Sequence, residues 1–134
     1  MPGVKSVYYA RSRETMGTPR DRENLRRVAL MFPGAEIRIV SRRECREDAA
    51  KAHSMEPFFK IVDQVDAVVL DEPARGHVTA GVFSEAQHAL HQGKPVISLR
   101  EEGARRVSSL HVTKNAGKEQ KQTGNWGRVF SRRT

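Results

Sequence analysis

Residues 65–99 constrain the fold of this chain more than any other stretch, because two short apolar runs bracket a helical pattern. The first run is AVVL at residues 67–70, and the second is PVISL at residues 95–99. Short apolar runs bounded by turn residues are typical of strands that are covered on both faces. Between the runs, apolar residues recur at helical spacing, at Val82, Phe83, Ala86, Ala89 and Leu90. We therefore predict a strand–helix–strand unit whose helix ends before Gly93.

The segments before this unit continue the alternation of strand and helix. Residues 4–10 and 36–40 are predicted strands, the second of them near an edge of the sheet. One helix is predicted to begin at Pro19 with Thr18 as its N-cap, and another to cover residues 55–64 with Ser54 as its cap. The resulting βαβαβαβ order predicts the α/β class, as a three-layer sandwich around a Rossmann/flavodoxin-like, mostly parallel sheet of about five strands.

The chain length indicates one domain, and the composition becomes more polar toward the C-terminus. A chain of 134 residues fits a single domain over residues 1–134. After residue 99 the sequence is more polar, with a strand candidate at residues 109–113 and an amphipathic piece at residues 126–131. We predict that residues 114–134 form a basic, partly mobile C-terminal tail.

The composition indicates which class of partner the protein binds and in which cellular compartment it is expected. The formal net charge is +8, from 24 Lys and Arg against 16 Asp and Glu, which favours an anionic partner such as a nucleotide, a nucleic acid or an acidic surface. The single cysteine, Cys45, excludes an internal disulfide and a cysteine-rich zinc site. Since no apolar run is long enough to span a membrane and no signal peptide opens the chain, we expect a cytoplasmic protein without a membrane partner.

Glu85 is the first candidate functional residue. It lies in the first two turns of the predicted helix, just after the flexible TAG at residues 79–81. In an open parallel sheet, ligands collect where strands end and the following helices begin. A carboxylate at that place suits a nucleophile or a general base that acts on an electrophilic carbon. The alternative is that Glu85 only interacts favourably with the helix dipole.

Other chemical patterns are weak. His88 and His91 are three residues apart on the predicted helix, but no cysteine or carboxylate completes a ligand set, so we expect no metal. The glycines form neither a GxGxxG nor a Walker pattern. We therefore expect no cofactor.

Four stretches, taken in order, resemble the nucleoside 2-deoxyribosyltransferase-like family. Its first strand usually reads V-Y-x-A/C-G-S/P, and this chain reads VYYARS at residues 7–12. The family's A-D-V-V-V strand is similar to VDAVV at residues 65–69, and its G-V-G-x-E…G-K-P-V pattern to GVFSE at residues 81–85 with GKPV at residues 93–96. RVSSL at residues 106–110 resembles the R-x-L-S-A-M segment of the 2′-deoxynucleoside 5′-monophosphate N-glycosidase branch, to which the chain is most similar.

The resemblance implies catalytic roles for Glu85 and Tyr8. Glu85 would attack C1′ of the sugar and form a glycosyl-enzyme ester, and Tyr8 would hold that glutamate or the sugar. If Tyr8 lies in the site, Tyr9 is expected to pack under the first helix. The family's proton-donating aspartate is absent, since Phe58 stands at its place. Asp71, at a strand end, is a candidate acid or sugar ligand; the alternative is that it caps a loop.

The resemblance also implies a nucleotide substrate and a homodimer with composite active sites. One serine of the R-x-L-S-A-M segment comes from the neighbouring subunit in that branch, which would make Ser108 a partner contribution. Where the family has glycine after the first strand, this chain has Arg11. Candidate substrate-binding residues are Arg11, Ser12, Arg13, Gly81, Ser108 and Ser109, of which the arginines and serines would bind the 5′-phosphate. The alternative is ordinary surface charge for Arg11 and Arg13, and a strand residue without a functional role for Ser108. The alternative function is a non-catalytic nucleotide or nucleic-acid binding protein on the same scaffold, with the basic tail as a contact surface.

Overall fold

The structure, a computed structural model, describes residues 3–40, 56–73, 76–112 and 128–133. The predicted cap at Ser54 and the predicted tail over residues 114–127 lie outside the described residues. Within the described parts of the chain, no helix is long and apolar enough to cross a membrane.

A five-stranded sheet forms the centre of the molecule. Its strands are β1 (Ser6–Ala10), β2 (Glu36–Arg38), β3 (Ala67–Asp71), β5 (Val96–Arg100) and β6 (Gly103–Val107), in the spatial order β2-β1-β3-β5-β6. The first four strands run parallel, and β6 pairs antiparallel with β5. The prediction of an α/β fold around a mostly parallel sheet of five strands is confirmed. The β5–β6 hairpin was not foreseen.

In the part of the chain that the structure describes, three helices cover the two faces of this sheet. They are α1 (Pro19–Met31), α2 (Glu56–Gln64) and α3 (Ala80–His91). Thr18 caps α1 by accepting a hydrogen bond from the backbone N–H of Asp21, as predicted. Thr79 caps α3 in the same way, so Gly81 lies inside the helix and not in a flexible stretch before it.

The sheet separates two apolar cores because neighbouring residues of a strand point to opposite faces. On one face Val7 and Tyr9 of β1 pack with Val28 of α1. On the other face Tyr8 and Ala10 pack with residues of α2 and α3, including Phe58, Val62, Val82, Ala86 and Ala89. The α1 core and the α2–α3 core therefore have no strand residues in common.

A second sheet, of three strands, is separate from the five-stranded sheet. It contains β4 (His77–Val78), β7 (Ser109–Val112) and β8 (Arg128–Arg133), in the order β4-β8-β7 with antiparallel pairing. The predicted strand near residues 109–113 is thus confirmed. Residues 128–133, which we predicted as part of a tail, form a paired strand, because β4 and β7 supply it with hydrogen-bonding edges on both sides.

Candidate functional site

The candidate site lies where β1 and β3 end, at the carboxyl edge of the parallel sheet. From β1 the chain proceeds to β2 on one side, whereas β3 and β5 lie on the other side. Such a reversal of strand order opens a crevice at the strand ends, and ligands of open α/β sheets bind there. Ala10 and Leu70 are paired at this edge, so Arg11 and Asp71 follow directly.

Glu85 occupies the inner face of α3, in its second turn. The buried residues of this helix are Val82, Glu85, Ala86 and Ala89, whose spacing puts them on the side that packs against the sheet. Glu85 is only 5% exposed. An ionisable residue therefore interrupts an otherwise apolar face, at the end of the helix nearest the crevice. A residue that only served the helix dipole would gain nothing from this burial.

Tyr8 reaches the same place from β1. It faces the α2–α3 core, and its phenol hydroxyl donates a hydrogen bond to the carboxyl group of Glu85. Among the described residues, Oε2 of Glu85 has no hydrogen-bond partner although it is buried. Such an orphaned oxygen is unusual in a protein interior, where nearly all buried polar atoms are paired. Tyr8 therefore fixes the Glu85 carboxyl group through a hydrogen bond, while Oε2 stays without a partner among the described residues.

The electrostatic setting of Glu85 follows from its burial. Loss of water raises the pKa of Glu85 to about 7, against the lowering effects of the Tyr8 hydrogen bond and the Arg11 charge. A carboxyl group with this pKa changes its protonation state near neutral pH. That property matches groups that take part in catalysis at neutral pH.

Arg11 lies beside the site but is engaged by the protein itself. Its Nε is 3.1 Å from Oδ1 of Asp21, and its Nη1 donates to the carbonyl oxygen of Val40 at 2.7 Å. Its guanidinium also lies 5.5 Å from the ring centroid of Tyr9. Arg11 thus supplies Glu85 with a nearby positive charge from a fixed, almost fully buried position.

Asp71 lies on the opposite face of the sheet from Glu85. Its carboxylate accepts hydrogen bonds from Thr15 at 2.8 Å, from Nε of Arg20 at 2.8 Å and from Asn24 at 3.0 Å. Both oxygens are therefore occupied as acceptors, and the contacts tie the end of β3 to the start of α1. The structure brings Tyr8 and Glu85 together, but it does not bring Asp71 to them.

Two candidate phosphate ligands share the loop between β1 and α1. Ser12 lies 3.3 Å from the hydroxyl of Thr15, and Arg13 is exposed. Gly81 is half-buried in the first turn of α3, beneath the same edge of the sheet. Ser12 and Arg13 thus follow the carboxyl end of β1, and Gly81 lies in the first turn of α3.

Ser108 and Ser109 do not lie at this edge. Val107 of β6 pairs with Val96, the first residue of β5, so Ser108 follows at the amino edge of the parallel strands. The length of β5 separates the two edges by about 13 Å, at roughly 3.3 Å per residue. Ser108 is exposed, and Ser109 begins β7.

Sequence reasoning missed most of the polar network that supports the site. Asp21 and Asn24 are buried on α1, at a spacing that also includes buried Val28. Polar residues in helical register with an apolar one were the signal that could have found them. Glu72 was not among the candidates either, although it is almost fully buried and its carboxylate accepts a hydrogen bond from Arg100 of β5.

His88 contacts two residues of α2. Its Nε2 is 2.7 Å from Oδ1 of Asp63, and its ring stacks on Phe59 with centroids 4.4 Å apart. Over the described ranges, no group of three or more residues with metal-binding side chains is found. These contacts hold α2 and α3 together at their surface.

Comparisons with protein-family models, with curated proteins and with solved structures found no match to this chain. The resemblance to the nucleoside 2-deoxyribosyltransferase-like family therefore stays a prediction from its motifs.

Proposed function

We propose that this protein is an N-glycosidase, or a deoxyribosyltransferase, that cleaves the base–sugar bond of a (deoxy)nucleoside 5′-monophosphate. One observation carries the proposal: the Glu85 carboxyl group is buried at the carboxyl edge of the sheet, held by Tyr8, with Oε2 unpaired among the described residues. A purely anion-binding site gains nothing from a carboxylate there. A site that acts on an electrophilic sugar carbon does gain, because the carboxylate can attack that carbon.

In the proposed reaction, Oε2 of Glu85 forms a bond to C1′ while the bond from C1′ to the base breaks. The electron pair of the broken bond leaves with the base, and positive charge develops on the sugar in the transition state. Water, or a second base, then attacks C1′ and releases Glu85 as a carboxylate. Two displacements at the same carbon retain the configuration of the sugar.

The tyrosine and the arginine prepare the carboxylate for this step. The Tyr8 hydrogen bond and the Arg11 charge both favour the ionised form, which is the nucleophile. Burial opposes them and brings the pKa of Glu85 to about 7, so a large fraction of the groups is ionised at neutral pH.

The loop between β1 and α1 is the proposed contact for the 5′-phosphate. Arg13 is exposed there, and Ser12 lies at the same edge. Hydroxyl and guanidinium groups near the start of a helix suit a phosphate. The net charge of +8 fits an anionic substrate as well.

The position of Ser108 supports a composite site. Ser108 lies at the edge of the sheet away from the Glu85 of its own chain. If Ser108 contacts substrate, it therefore contacts the substrate of a second copy. We propose a homodimer in which each copy contributes to the site of the other.

A second candidate function is the binding of nucleotides or nucleic acid without catalysis. It is favoured by the exposed arginines of β6, Arg105 and Arg106, on a chain with a basic excess. Such binding would depend strongly on salt concentration.

The deciding experiment is chromatography of free base after incubation with a panel of deoxynucleoside monophosphates. We expect the unaltered protein to release base from at least one of them and Glu85→Gln to lose this activity while it still binds the nucleotide. Glu36→Gln is the control, because it removes an exposed carboxylate at the amino end of the sheet. No release from any nucleotide, together with salt-sensitive binding of oligonucleotides, would favour the second function.

A further inference from the structure

Glu72 is a buried carboxylate that the proposed reaction does not use. It follows β3 directly, and the residue is only 1% exposed. Its backbone N–H donates to the carbonyl oxygen of Leu99 at 3.0 Å, and its own carbonyl accepts from Nη2 of Arg20 at 3.1 Å. Both backbone groups are thus paired, so the position of Glu72 at the sheet edge is fixed.

The Glu72 side chain connects three separate parts of the chain. Oε1 accepts a hydrogen bond from the hydroxyl of Ser98 on β5. Oε2 accepts from Nε of Arg100 at 3.1 Å and from the backbone N–H of Gly76 at 2.6 Å. Charged acceptors form the stronger hydrogen bonds, and here one carboxylate serves three donors. Gly76 is thereby fastened to β5 through Glu72.

Gly76 stands immediately before the elements that deliver Glu85. It has a φ of +78°, a conformation that favours glycine. β4 follows it, and Val78 of β4 is buried in the α2–α3 core. Thr79 then caps α3, which carries Glu85 in its second turn. The place of Gly76 therefore sets where α3 begins.

We propose that Glu72 is a positioning residue for Glu85: by anchoring Gly76 to β5, it holds the start of α3 so that the Glu85 carboxyl group meets Tyr8. This inference rests on the proposed function. Glu72 itself does not contact the reacting atoms in this scheme.

Glu72→Gln tests the anchor with the smallest change in shape. Glutamine replaces one acceptor oxygen with an NH2 group and carries no charge, so the variant loses the charge-assisted hydrogen bonds by which Glu72 holds Arg100 and Gly76. Glu36→Gln is the matched control, since it makes the same chemical change at an exposed site at the opposite edge of the sheet. If Glu72→Gln does not fold, Ser98→Ala removes one donor of the same network and takes its place.

Two measurements are made on each variant: kcat and KM for base release, and the titration of the Glu85 carboxyl group by 13C NMR. We expect kcat to fall about tenfold to a hundredfold and KM to stay within about twofold, because small displacements of a catalytic group slow the reaction more than they weaken binding. We expect the pKa of Glu85 to move down from about 7 as water reaches it.

The two readouts separate the two proposals. An unchanged Glu85 titration overturns the positioning role whatever happens to kcat, and so does an unchanged kcat in an active protein. If the unaltered protein releases no base, the proposed function is wrong. In that case the titration alone decides whether Glu72 positions Glu85.

Discussion

The phenol of Tyr8 donates a hydrogen bond to the carboxyl group of Glu85, although the two residues come from separate elements, the strand β1 and the helix α3. The contact exists because Tyr8 points to the face of the sheet that α3 covers, while Tyr9 points to α1. It leaves Oε2 of Glu85 unpaired within the described chain, next to the crevice at the strand ends.

Tyr8→Phe is expected to slow base release by about tenfold or more, since a hydrogen bond to a charged group contributes about 1.5–3 kcal/mol. The pKa of Glu85 should rise further above its usual range, because the Tyr8 hydrogen bond lowers it. Steady-state kinetics and 13C NMR titration measure the two effects. Tyr9→Phe is the control, since the Tyr9 hydroxyl bonds to Asn24 on the other face. An unshifted Glu85 titration in Tyr8→Phe would contradict the assignment.

The activity should rise with pH through about 7, because the nucleophile is the ionised form of Glu85 and burial raises its pKa to about 7. A profile of kcat/KM from about pH 5 to about pH 9 tests this. We expect an increase on the acid side of neutrality and a plateau on the alkaline side. A profile that is flat around neutral pH would show that Glu85 is not the titrating nucleophile.

Burial of Glu85 should cost stability at alkaline pH. Between its ordinary pKa of 4.5 and about 7, the folded protein keeps a proton that the unfolded chain releases, so this contribution to the free energy of unfolding falls as pH rises. In Glu85→Gln the side chain is neutral at every pH, so the variant does not lose stability through ionisation of a buried group. We expect it to be more stable than the unaltered protein at alkaline pH, by about 3 kcal/mol at most, and equal to it at acid pH. Urea unfolding at two pH values measures the difference. A pH-independent difference would contradict the burial of an ionisable group.

Asp71→Asn is expected to destabilise the fold by about 3 kcal/mol, because it leaves the guanidinium of Arg20 without its buried partner. Base release per folded molecule should persist, since Asp71 lies on the face away from Glu85. Thermal unfolding and kinetics measure the two effects, with Glu23→Gln as a surface control. If Asp71→Asn loses activity only on nucleotides with poor leaving groups, Asp71 is the proton donor after all.

A mixing experiment tests the composite site. We expect Glu85→Gln and Ser108→Ala each to be impaired, and an equilibrated equal mixture to recover about a quarter of full activity, because half of the dimers are mixed and each of those has one intact site. A mixture no more active than the average of its components would show that Ser108 serves its own chain or no site at all.

The sequence predicted the main elements because their signals are local. Apolar runs bounded by turn residues located β3 and β5, and Thr18 followed by Pro19 located the start of α1. β6 and β8 carry alternating or charged sequences, such as GARRV, that are not apolar enough to stand out. Their strand character depends on the neighbours they pair with, so only pairing revealed it.

For the site, the sequence by itself determined that a carboxylate, Glu85, lies in the first turns of a helix that follows a buried strand. The tertiary structure decided that Tyr8 and not Tyr9 faces it, that Asp71 lies behind the sheet and that Glu72 holds the chain before α3. Alternation along a strand shows which residues point in opposite directions, but only strand order and crossover direction decide which face each helix covers. Burial and hydrogen bonding between distant residues follow from that choice.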